Sequence, residues 1–123
     1  LLTAGHHVLG FGNDDFHDPE DFSNAWNMVN VDDASPAGVV AAAKAGRSYA
    51  TTGLLLERIV VDTDHVEVKV SAPAKGRFVG PFAQVLAAAE GTDFSYDAGA
   101  EKYVRFEAES DAGRIFLQPL WQQ

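Results

Sequence analysis

Apolar and polar positions alternate with a period of two over most of the second half of the chain, the pattern of strands with one buried face. Val66, Val68 and Val70 project to one side, and Glu67 and Lys69 to the other. The turn-forming run Asp62 to His65 joins them to the apolar stretch Leu54 to Val61, which predicts a hairpin. A second hairpin is predicted where Val104, Phe106 and Ala108 alternate with Tyr103, Arg105, Glu107 and Glu109. There Asp111-Ala112-Gly113 turns the chain into Ile115 to Leu117. Phe82 to Glu90 reads two ways. Phe82, Val85, Leu86 and Ala89 have helical spacing, whereas Glu90-Gly91 followed by Phe94 and Tyr96 suits a hairpin.

The first half is patterned differently. His7 to Asn13 (HVLGFGN) is a short apolar run with glycines, expected to be a buried strand that another backbone or a ligand approaches closely. Ser35-Pro36 supplies an N-cap oxygen and a proline at the first helical position, so a helix is predicted over Pro36 to Ala45. Val39, Val40 and Ala43 are its apolar stripe, Lys44 favours its C-terminal dipole, and Gly46 fits the left-handed position beyond it. Trp121 is expected to pack against the sheet.

With 123 residues, 46% hydrophobic and 22% charged, the chain can bury one core and not two independent ones. Nine Lys and Arg against eighteen Asp and Glu give a formal charge of -9, which disfavours nucleic acid and anionic membrane surfaces as partners and suits cations. The apolar runs are broken by Glu57 and Arg58 and fall short of the ~20 residues that a membrane helix needs. The absence of cysteine removes disulfides, thiolate nucleophiles and Cys-based zinc sites. The chain begins at Leu1 without a basic leader, as expected of a piece of something longer.

Candidate chemistry concentrates in an acidic loop. Asp14, Asp15, Asp18, Glu20, Asp21, Asp32 and Asp33 occur there without a Lys or Arg, interleaved with Phe16, Phe22 and Trp26. In extended backbone Asp15 and His17 share a face, offering a carboxylate and an imidazole to one cation of the Zn, Mn or Fe class, while Asp14 points away. The alternating Asp positions, central Gly and terminal Glu of a calcium loop are missing. His6 and His7 face opposite sides of a strand, so only one of them, taken as His7, could join the cluster. Arg47 and Tyr49 either bind an anion near the site or serve structure, Arg47 closing the helix and Tyr49 packing beneath it. His65, at a hairpin turn, is expected to be solvated.

The order LLTAGHHVLGFGNDDFH, an aromatic loop with Trp26, a helix ending in AGRSYATTG, paired strands and a closing YVRFEAESDAGRIFLQPLW resembles the C-terminal part of PHP (polymerase and histidinol phosphatase) metallohydrolases. The resemblance implies an α+β chain: residues 1–48 as the last β/α unit of a distorted (β/α)7 barrel, and 49–123 as an appended antiparallel β-sheet or sandwich domain. It favours strand near Val85. It also implies that Asp15 and His17 are metal ligands, with Asp14, His7 and Arg47 as candidate accessory residues, and that the parent holds Mn, Zn or Fe to cleave a small phosphoester or related ester. The family's His-x-His and mid-barrel ligands have no counterpart here. This chain is therefore expected to be a C-terminal fragment, inactive without the remainder of the parent barrel. Such a remnant would leave Val8, Leu9 and Phe11 uncovered and could form a homodimer through an exposed strand. The alternative is a non-enzymatic β-rich binding or protein-interaction module.

Overall fold

The computed structural model describes residues 1–122. Strands β1 (Trp26–Val29), β2 (Ser48–Thr51), β3 (Leu56–Val61), β4 (His65–Val79), β5 (Val85–Asp97), β6 (Tyr103–Ser110), β7 (Gly113–Leu117) and β8 (Leu120–Trp121) surround one helix, α1 (Pro36–Lys44). The main path runs β1-β2-β7-β6-β4-β3, with β5 beside β4 and β8 beside β6, and every pairing is antiparallel. Both predicted hairpins form, as β3–β4 and β6–β7.

The barrel expectation is overturned. A β/α barrel unit joins parallel strands through its helix. Here α1 connects β1 to β2, which pair antiparallel from Trp26 opposite Thr51 to Val29 opposite Ser48. Among the described residues the result is a mostly antiparallel eight-stranded sheet with one short helix and no barrel.

The core exists because the sheet folds over on itself. The first half of β4 lies between β3 and β5, and its second half between β6 and β5. Between them, at Lys69 to Ala74, the register with β5 shifts, and Pro73 cannot donate to a ladder there. The bend carries Tyr96, opposite Val66, onto Phe78, with ring centroids 5.5 Å apart. Phe94 likewise meets Phe106 at 5.1 Å. Val66, Val68 and Val70 face Val104, Phe106, Ala108 and Ile115 in this interior, as the alternation predicts.

The outer face carries charge. Glu90, Lys75, Glu109 and Arg114 stand in register across β5, β4, β6 and β7, alternating in sign. One row away, Arg77 and Arg105 both bond Glu107. Burial pushes the Glu107 carboxyl up, but the two guanidinium groups outweigh it and hold the group below its ordinary range.

Phe82 to Glu90 resolves as a tight turn at Pro81–Ala83 followed by β5, with Gly80 donating to the Gln84 carbonyl at 2.9 Å. Helical spacing does not prevail there because Lys75 to Val79 offers a ladder to Val85 to Glu90, interrupted only by a register shift at Leu86. Helix α1 is capped as the sequence implies. The Ser35 hydroxyl accepts from Gly38 N–H at 3.1 Å and donates to Asp33 at 2.6 Å. Gly46 has φ 76, and its N–H and that of Arg47 donate to Ala43 and Ala42.

His7 to Asn13 does not form the expected strand. It crosses the outer face of β1, β2 and β7 and is held by side-chain amides. Gln118 bonds both the N–H and the carbonyl of Gly10, and Asn27 does the same for Gly12. A Cβ on Gly12 would lie 3.2 Å from that of Ala50, so the glycine permits the close approach. Val8, Leu9 and Phe11 are 36%, 38% and 53% exposed.

Candidate functional site

The acidic loop leaves the clamped segment at Asn13, and three of its side chains are spent on its own backbone. Asn13 accepts from Asp15 N–H at 2.8 Å. Asp14 accepts from Ser23 and Ala25 N–H, each at 2.8 Å, and Asp21 from His17 and Asp18 N–H, each at 3.0 Å. The hydrogen bonds from Ala25 and Ser23 hold the Asp14 carboxyl below its ordinary value, and those from Asp18 and His17 do the same for Asp21. These carboxylates organise the loop.

Asp15 and His17 are left facing outward, their side chains 92% and 72% exposed and only 4.0 Å apart between Oδ1 and Nδ1. The extended backbone expected to align them is absent. Asp15 sits at φ 50, a left-handed conformation that Asp tolerates, and the loop's internal bonds bring the two side chains together instead. His17 Nδ1 lies 2.6 Å from the Asp15 carbonyl oxygen. A carbonyl only accepts, so Nδ1 carries a proton, and in the neutral form of the ring Nε2 has the lone pair. That tautomer suits a metal-binding imidazole, whose second nitrogen commonly donates to a carbonyl.

Among the described residues no three His, Cys, Asp or Glu side chains form a group that could hold a metal ion. His7 instead stacks on Trp121, centroids 3.9 Å apart, and Trp121 meets Tyr103 at 5.2 Å. The Arg47 backbone closes α1, while Tyr49 borders the core and its hydroxyl accepts from Leu56 N–H at 3.1 Å. Comparisons with known proteins find no matching family model, curated protein or solved structure.

A second titratable cluster was hidden from the sequence. His65, expected to be solvated, is held between carboxylates, with Nδ1 2.6 Å from Asp97 and Nε2 3.2 Å from Glu67, which also accepts from Arg58. Glu67 shares its face of β4 at spacing two, but Asp97 arrives only through the β4–β5 register. Asp97 first, and then Glu67, raise the His65 pKa above its ordinary value.

A group raised on folding stabilises the fold below its unfolded pKa, about 6.5 for His, and loses that contribution as pH climbs through the raised value. Ring-proton NMR should therefore find His65 titrating above the ordinary histidine value, and Asp97→Asn should bring it down. A His65 midpoint unmoved by Asp97→Asn would refute the clamp.

Proposed function

We propose that this chain is the C-terminal part of a metal-dependent phosphoesterase resembling the PHP family, in which Asp15 and His17 supply two ligands to a metal centre. The observation that carries this is the division of labour in the acidic loop. Asn13, Asp14 and Asp21 are consumed by backbone N–H groups, while the Asp15 carboxylate and the His17 Nε2 lone pair remain free on one exposed surface. A carboxylate with an imidazole is a donor set suited to Mn, Fe or Zn. Two donors do not complete a catalytic centre, so the others come from elsewhere in the parent. A bound ion would supply Lewis acidity towards a phosphoester oxygen. The loop contributes orientation, since Asp14 and Asp21 fix the backbone from which both ligands project.

The test is the metal response of the chain beside an Asp15→Ala, His17→Ala double variant. Substoichiometric Mn2+ should broaden amide NMR signals around Asp15 and His17 first, and the broadening there should fall several-fold in the double variant. Broadening spread evenly over the acidic surface, or unchanged in the variant, would sink the reading. Elemental mass spectrometry of the purified protein gives the stoichiometry.

A further inference from the structure

The folded sheet is open at one end. Met28, Tyr49 and Leu117 stand opposite one another on β1, β2 and β7, and Tyr49 and Leu117 border the core. The facing wall is β3, which contributes Leu56 and Ile59. Between these walls, with Leu120 completing the apolar lining, lies a cleft of about 640 Å³. Its size is that of a small-molecule site. Met28 and Ile59 remain 41% and 40% exposed along it, so the core residues of this end are only partly covered.

The charges at the cleft are unequal. Glu57 faces Lys69 at 3.7 Å, and Arg58 is engaged by Glu67 at 3.2 Å. Arg47 lines the same cleft and makes no ion pair with a carboxylate among the described residues. In a chain of net charge -9, a guanidinium beside an apolar wall reverses the overall sign locally. It complements one kind of small molecule, an apolar body that ends in a negative group.

We infer that this cleft binds a small amphipathic anion, with its apolar body between Met28, Tyr49 and Leu117 on one side and Ile59 on the other, and its carboxylate, sulfonate or phosphate at Arg47. The site is independent of Asp15 and His17, and its test needs no metal. The anionic probe 8-anilinonaphthalene-1-sulfonate and its neutral analogue N-phenyl-1-naphthylamine separate the two halves of the claim. One saturable site is expected for each. Arg47→Gln should weaken the sulfonate about two- to five-fold, as for an exposed charge contact, and leave the neutral probe unchanged. Ile59→Glu should abolish both. Both positions are exposed, so the variants keep the fold, which amide NMR dispersion verifies. Non-saturable binding, a sulfonate affinity indifferent to Arg47→Gln, or equal loss of both probes in that variant would overturn the inference.

Discussion

Gly53→Ala should destabilise the fold by about 3 kcal/mol or more, whereas Gly91→Ala should cost only about 1–2 kcal/mol from backbone strain alone. Both glycines have φ values that side chains rarely adopt, 149° and 140°. They differ in what a Cβ would meet. At Gly91 nothing lies within 4 Å, but at Gly53 the Ala112 carbonyl oxygen is 2.0 Å away. That contact is backbone on backbone, in a junction already locked by Thr51. The Thr51 hydroxyl accepts from Gly53 N–H at 2.9 Å and lies 2.5 Å from the Leu54 carbonyl and 3.0 Å from that of Arg114. Relief would require the β6–β7 turn to move away from the β2–β3 loop, breaking the Thr52–Arg114 bonds. Urea unfolding of the two variants measures the difference directly. Equal losses would mean that the junction yields freely.

Gly76→Ala is the second large effect, expected at about 2–3 kcal/mol for overpacking a closed interior. Gly76 lies on the second half of β4, opposite Ala89 and Ala108, and a Cβ there would come within 2.5 Å of the Phe94 ring. The ring has nowhere to retreat, being 6% exposed and tilted against Phe106. Because the two residues meet through the folding of the sheet, their substitutions should not add. Phe94→Leu makes room for the methyl group, so Gly76→Ala with Phe94→Leu should be more stable than the sum of the single losses by about 1 kcal/mol. Additive losses in thermal or urea unfolding would mean that Phe94 does not set the glycine requirement.

What was legible in the sequence is what alternation encodes locally. Val66, Val68 and Val70, and Val104, Phe106 and Ala108, declare their buried face within a few residues, and both hairpins close through turn residues beside them. Pairing between distant segments left no such trace. Ser35-Pro36 and Gly46 delimit α1, yet the same signals would serve a helix joining parallel strands, so they cannot report that β1 and β2 run antiparallel. The bend at Pro73 is a one-residue cue whose consequence, Phe78 on Tyr96, depends on a strand that begins only at Val85. In the acidic loop, the adjacency of Asp15 and His17 follows from Asp14 and Asp21 reaching back to their own backbone, and not from the extended spacing that suggested it. The apolar run His7 to Asn13 reads as a strand in sequence but forms none, because its backbone partners are the side-chain amides of Asn27 and Gln118, which no periodicity announces.

Those two amides set a boundary in the protein's local stability. A strand inside a ladder leaves only when its neighbours are disrupted, but the segment through Gly10 and Gly12 can lift off by rotating two side chains, with the stack of His7 on Trp121 and the bond from Phe82 N–H to the Thr3 hydroxyl as further anchors of the arm. Each such hydrogen bond contributes about 1 kcal/mol net, so detachment requires far less than opening β2 or β7. In deuterium exchange the amides of Gly10 and Gly12 would belong to a separate unit from the sheet, losing protection while Ala50 and Ile115 keep theirs. The N-terminal arm and its acidic loop can thus explore other positions without unfolding the surface on which they rest.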